Sequence, residues 1–166
     1  DPVMGADGQP VKVVKVASDI TLRKLDAADS IGKISAVDKA QAVIEFDLQG
    51  NILTANSNFL GAMGYALEEI SGKHHRMFVE TSYAQSPQYT AFWDRLRNGQ
   101  FDAGEYKRIG KGGKEVWIQA SYNPIFDMSG KPFKVVKFAT DVTAQKLAAA
   151  ESEGKINAIG KSQAVI

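Results

Sequence analysis

Short runs of alternating apolar and polar residues open the middle of the chain. Ala42–Asp47 and Asn51–Asn56 read as strands around Leu48-Gln49-Gly50-Asn51, a hairpin signal. Asn56-Ser57-Asn58 then offers N-cap chemistry for a short helix, Phe59–Met63, ending at Gly64, and Leu67–Ile70 adds a helical turn stopped by Gly72. After Pro87 the period lengthens: Tyr89, Phe92, Trp93 and Leu96 recur at i, i+3, i+4 and i+7, which predicts an amphipathic helix over Gln88–Asn98. Alternation returns in Phe101–Arg108, Glu115–Phe126 and Phe133–Thr140, joined at Lys111-Gly112-Gly113-Lys114 and Asp127-Met128-Ser129-Gly130. Two strands, three short helices and three strands predict an α+β fold, an antiparallel sheet with helices on one face.

The flanks carry a different pattern. Ala144–Asn157 is rich in Ala, Lys, Glu and Leu, with Thr143 as its N-cap, and Leu22, Leu25, Ile31, Ile34 and Val37 form a thin apolar stripe near the start. Such a stripe fits a solvated linker helix or one that pairs with another chain. The two flanks are also copies of one another. Val11–Ile44 returns as Phe133–Ile166 at a constant offset of 122 residues, and the alignment extended to Asp1 and Asn123 holds 24 identities in 44 positions without a gap. Solenoid repeats span only ~20–50 residues, so this period implies an array of domains. Residues 1–21 then read as the C-terminal strands of a preceding repeat and 22–40 as a connector helix. Residues 41–143 form a complete domain, 144–160 a second connector, and 161–166 the start of a further repeat. Strands cut from their own sheet expose edges, so residues 1–21 are expected to lack order or to pair with another chain.

Composition narrows the chemistry. Lys and Arg total 20 against 19 Asp and Glu, a net charge of +1, which supplies no field for gripping nucleic acid. No run approaches the ~20 apolar residues of a membrane span, and Asp1-Pro2-Val3-Met4 has no signal-peptide character, so a soluble, cytoplasmic chain is expected. Cysteine is absent, which removes disulfides, thiolate nucleophiles and Cys-ligated metals. The two histidines, His74 and His75, are adjacent and make a protein-only metal cage improbable; a metal site is expected only through haem iron. No nucleophile motif, phosphate loop or paired carboxylate appears near Glu105 or Glu115, and Gly110-Lys111-Gly112-Gly113 opens no helix, so no enzyme is expected.

Asn56-Ser57-Asn58-Phe59, Gly64-Tyr65-Ala66-Leu67-Glu68-Glu69-Ile70, Gly72-Lys73, Gly130-Lys131 and Asp141-Val142-Thr143 together resemble the PAS domain family. More narrowly, Gly72–Phe78, Glu105–Asp127 and Lys134–Thr143 look like the tandem PAS repeats of methyl-accepting chemotaxis transducers, aerotaxis-type receptors among them. The resemblance implies a five-stranded antiparallel sheet with short helices on one face, flanked by connector helices, and a sensory rather than catalytic role. It makes Asp141 and Thr143, repeated as Asp19 and Thr21, the junction through which signal passes. An Asp and a Thr two residues apart can also simply cap the helix.

The family binds ligands between sheet and helices, which brings Asn56, His74, His75, Trp93, Tyr106, Arg108 and Trp117 forward as cofactor-site candidates. His75 stands where the light-sensing flavin subclass carries its reactive Cys, so flavin–cysteine photochemistry is excluded. Flavin binders favour amide side chains where this chain has Arg108, Ile118 and Ala139, whereas Trp93 aligns with a Trp of the FAD aerotaxis receptors, whose Arg-His pair reads Val79-Glu80 here. FAD therefore ranks first among cofactors and haem second, with His74 or His75 as the axial ligand; the helix that usually supplies that His, Gln88–Asn98, has none. With no cofactor, Phe59, Met63, Phe78, Trp93, Tyr106 and Trp117 are core packing and Lys107-Arg108, Lys111 and Lys114 a solvated hairpin.

The resemblance thus implies a module of a chemotaxis receptor that senses a redox, oxygen or small-molecule cue. Its partners would be a second copy through the connectors, adjacent repeats, and a downstream signalling domain with its kinase complex. A ligand-free structural or dimerising repeat, or the sensor of a histidine kinase or cyclase, are the alternatives.

Overall fold

The computed structural model describes residues 2–13 and 19–163. The chain divides into two units, Asp1–Val37 and Asp38–Ile166.

In the first unit, β1 (Pro2–Met4) and β2 (Pro10–Val13) pair antiparallel, and α1 runs from Thr21 to Ala40 across the unit boundary. Residues 2–13 thus form a hairpin of their own, against the expectation that the severed strands lack order, and residues 14–18 of the same segment lie outside the described residues. Local turn chemistry accounts for the hairpin: Gly5 and Gln9 close the loop at 2.7 Å, Asp7 accepts from the Gln9 amide, and Gly8 takes φ 75°. Pro2 pairs with Val13 and Met4 with Pro10. At the offset of 122 these are Pro124 with Val135 and Phe126 with Pro132, and both pairs occur in the second unit. The two hairpins share one register. On α1, Leu22, Leu25, Ile31, Ile34 and Val37 are all exposed.

The second unit holds a five-stranded antiparallel sheet in the order β4-β3-β7-β6-β5. Its strands are β3 (Ala42–Phe46), β4 (Ile52–Ala55), β5 (Asp102–Ile109), β6 (Glu115–Phe126) and β7 (Pro132–Asp141). Between β4 and β5 lie α2 (Ser57–Met63), α3 (Leu67–Ile70), a 3-10 turn at His75–Phe78, α4 (Thr81–Ala84) and α5 (Pro87–Arg97). The predicted α+β architecture is present, with helical segments at His75–Phe78 and Thr81–Ala84 in addition to the three expected. After β7 the chain enters α6, Thr143–Gln163. Lys161-Ser162-Gln163 continue this helix; Ala164–Ile166 lie outside the described residues.

One face of the sheet and the helices enclose the core. Ile44, Phe46, Val116, Ile118, Ala120, Tyr122, Val135 and Ala139 meet Phe59, Met63, Ile70, Phe78, Tyr89, Phe92, Trp93 and Leu96. α5 buries Tyr89, Phe92, Trp93 and Leu96, the four positions its period predicts. Among the described residues, no helix is long and apolar enough to cross a membrane.

Candidate functional site

The inner face of the sheet carries polar groups among its apolar ones. Alternation along β5 turns Asp102, Tyr106 and Arg108 inward, while β6 contributes Tyr122 and β7 Lys137, its cross-strand neighbour. Opposite them, the 3-10 turn sends His75 in from the helical side. The His75 amide donates to the Gly50 carbonyl at 2.8 Å, and Asn51 and His74 form an isolated bridge, which stitches this turn to the head of β4. Gly50, at φ 89°, is required here: a Cβ would come within 2.9 Å of both His74 Nε2 and Trp93 Cζ2.

His75 is fully buried and both ring nitrogens are engaged. Nδ1 lies 2.9 Å from the Tyr89 hydroxyl and Nε2 3.0 Å from that of Tyr122, which also accepts from Arg108 Nη2 at 3.0 Å. With the imidazole proton on Nδ1, a continuous chain runs in which Arg108 donates to Tyr122, Tyr122 to His75 Nε2, and His75 Nδ1–H to Tyr89. Burial, then the charges of Arg108 and Lys137, hold His75 well below the usual histidine range, so it is neutral. Burial likewise pushes Tyr89 up to about 12, and burial with the Arg108 charge pushes Lys137 well below the ordinary lysine value. Tyr106 donates to Asp102 at 3.1 Å, and the Arg108 guanidinium lies 4.7 Å above the Tyr106 ring. Among the described residues, Arg108 Nε is a buried donor without a hydrogen-bond partner.

These residues do not fit the haem or flavin that the sequence brought forward. An axial ligand needs a free imidazole lone pair, and His75 has none to offer. His74 faces the rim, and its Nδ1 accepts from the Arg76 amide at 3.1 Å, capping the 3-10 turn. Flavin recognition needs amide groups, and the inner face offers Arg108, Ile118 and Ala139 at the positions in question. The remaining space beneath α5 is occupied by the rings of Phe46, His75, Tyr89, Phe92, Trp93 and Tyr122, with neighbouring centroids 5.0–6.3 Å apart.

Of the sequence candidates, His75, Trp93, Tyr106 and Arg108 come together here. Arg108 is a correction: it is 4% exposed, not part of a solvated hairpin. The lysines of that hairpin do lie toward solvent, Lys107 pairing with Glu80 and Glu115 and Lys111 with Glu69. Trp117 is a second correction. It points from the opposite face of β6, outside the core, with Lys146 Nζ 5.4 Å from its ring. Asn56 is half-buried and serves a different place in the fold. Its amide joins β3, α2 and the end of α1, accepting from Val43 and Phe59 and donating to the carbonyls of Asp38 and Gln41. Lys137 and Tyr122 were not found from the sequence. Lys137 shares the phase of Val135 and Ala139, and that alternation was the available signal.

The junction residues form a second locus. Asp141 Oδ1 accepts from the Thr143 amide at 2.9 Å, and the Trp117 amide donates to the Thr143 hydroxyl at 2.9 Å. Val142 donates to the Trp117 carbonyl, and Lys146 pairs with Glu105. The start of α6 is thereby fixed to β6 and β5. Asp19 and Thr21 repeat the first contact at 2.8 Å.

Comparison with known proteins agrees with this fold. A family described as the PAS fold matches residues 52–139. The biofilm dispersion protein BdlA of Pseudomonas aeruginosa is 45% identical over 143 residues, covering 86% of this chain and 34% of that protein. The aerotaxis receptor of Escherichia coli is 30% identical over 105 residues, 63% of this chain and 20% of that protein. A crystal structure of a PAS domain from Colwellia psychrerythraea superposes with a TM-score of 0.60 at 21% identity, covering 70% of this chain and 98% of that one. The chain therefore spans about a third or less of the length of these curated relatives.

Proposed function

The chain belongs to the PAS fold family, and from that premise we propose that it is a sensory module of a chemotaxis-type receptor, passing its signal through Asp141-Val142-Thr143 to α6. The observation that carries this reading is the bond from the Trp117 amide to the Thr143 hydroxyl. Trp117 lies between Val116 and Ile118, whose side chains enter the core, so a shift of β6 moves the helix cap directly. In this reading the module binds and relays without catalysis and works in the cytoplasm. It dimerises through the connector helices, whose apolar stripe stands exposed on α1. Adjacent repeats and a downstream signalling domain with its kinase complex are its further partners. Among redox, oxygen and small-molecule cues, the engaged nitrogens of His75 and the missing amides favour a small molecule.

The test is made in a full-length receptor carrying this segment. Asp141→Ala and Thr143→Val are each expected to shift kinase output at fixed stimulus; unchanged output in both would overturn the junction's role.

A ligand-free structural repeat is the second reading, favoured by how fully aromatic rings occupy the interior. It requires that no small molecule alter the domain's stability.

A further inference from the structure

Arg108 and Lys137 are 4% and 1% exposed. Among the described residues neither has a carboxylate within ion-pair distance, although ion pairs form elsewhere among them. Two of the Arg108 nitrogens are satisfied, by the Lys107 carbonyl at 2.8 Å and by Tyr122. The third, Nε, is buried without a partner. Lys137 Nζ sits over rings, 5.0 Å from the centre of Tyr122 and 5.5 Å from that of Phe59. Burying charge without an anion is costly, and the Arg108 charge and burial that disfavour the protonated Lys137 amine are what a bound anion would offset.

The backbone beneath them has a second feature. Ala42, Ala139, Ala120 and Gly104 stand side by side in register across β3, β7, β6 and β5. Small side chains here, Ala120 and Ala139 both buried, leave the volume above them to larger neighbours. Tyr106 lies along β5 over Gly104 to reach Asp102, and Arg108 and Tyr122 converge from opposite sides of the row at its β5–β6 end. Lys137 borders the same row, two residues before Ala139 on β7.

We infer that this face binds a small organic carboxylate, held on the free Nε edge of Arg108 with Lys137 as the second cation. This deepens the sensory reading above and rests on it. The Nε edge of a guanidinium matches a planar carboxylate, which can take two parallel N–H bonds there. The body of the ligand lies on the small-residue row, replacing contacts that Tyr122 and Tyr106 now make.

The experiment is thermal unfolding of the 166-residue chain with acetate, succinate or benzoate. The neutral amides of these acids and inorganic phosphate, at matched ionic strength, serve as comparisons. At least one carboxylate is expected to raise the midpoint saturably while its amide does not. Lys137→Met and Arg108→Gln are each expected to weaken that response by about tenfold or more. Lys137→Met is also expected to be no less stable than the parent without ligand, since the buried amine faces no carboxylate there. No response to any of the carboxylates, an equal response to the amides, a response to phosphate alone, or a parent-like response in both variants would each overturn the inference. So would loss of ligand-free stability in Lys137→Met, which would make the amine a structural group. The output measurements on Asp141 and Thr143 are independent of these outcomes, so the sensory reading stands or falls separately.

Discussion

A single amide nitrogen of Asn56 holds Asp38 twice, at its carbonyl oxygen (2.8 Å) and at its side-chain oxygen (3.0 Å). The same side chain donates to Gln41 and accepts from Val43 and Phe59, so one residue closes the end of α1, the start of β3 and the first turn of α2. Removing it orphans several backbone groups at once. Asn56→Ala is therefore expected to destabilise the domain by about 2–4 kcal/mol in chemical denaturation. Asn56→Asp keeps the two accepting contacts but sets a carboxylate against Asp38, and is expected to recover only part of that loss.

Gly50 and Gly130 both take positive φ, at 89° and 81°, yet substitution should separate them. Nothing lies near a Cβ at Gly130, so Gly130→Ala costs only backbone strain, about 1 kcal/mol. At Gly50 the new methyl meets His74 and Trp93, and Gly50→Ala is expected to cost about 2–3 kcal/mol. Equal losses in urea titrations would show that the His74 rim yields freely.

Burial of neutral His75 makes stability depend on pH in a defined direction. Its folded-state value is depressed, so below the ordinary value of 6.5 the unfolded chain takes up a proton that the folded chain refuses. Stability from His75 is present above that point and is lost as pH falls beneath it, by up to about 1.4 kcal/mol per pH unit. His75→Gln, which keeps hydrogen-bonding capacity without titrating, should show a flatter profile between neutrality and pH ~5. Parallel profiles would contradict the assignment.

Haemin added to the purified chain is expected to give no saturable histidine-type Soret band, because both imidazole nitrogens are occupied by tyrosine hydroxyls. Such a band, lost in His75→Ala, would show that His75 leaves Tyr89 and Tyr122 to ligate iron.

Sequence periodicity located α5 and all the strands of the main sheet because each buries one face, and burial is what hydrophobic patterning records. It failed where burial runs against residue type. Arg108 and Lys137 lie inward although their chemistry assigns them to solvent, and only the phase of their neighbours betrays it. Trp117 differs the other way: lying between Val116 and Ile118 it has the outward phase, although a large aromatic side chain suggests the core. Asn56 was recognised as a cap, but its bonds to Asp38 and Gln41 join residues 15 or more positions apart, which no local pattern encodes. The turns at His75–Phe78 and Thr81–Ala84 are too short to show a period.

The unbroken course of α6 from Thr143 to Gln163 fixes more than a distance. A helix advances about 100° per residue, so whatever follows Gln163 is presented at an azimuth set by the count of residues from the Thr143 anchor. One inserted residue would swing it by roughly a quarter turn, whereas seven would return it to within about 20°. The connector therefore carries a phase as well as a length, and an insertion of seven residues changes its reach while nearly keeping its angle.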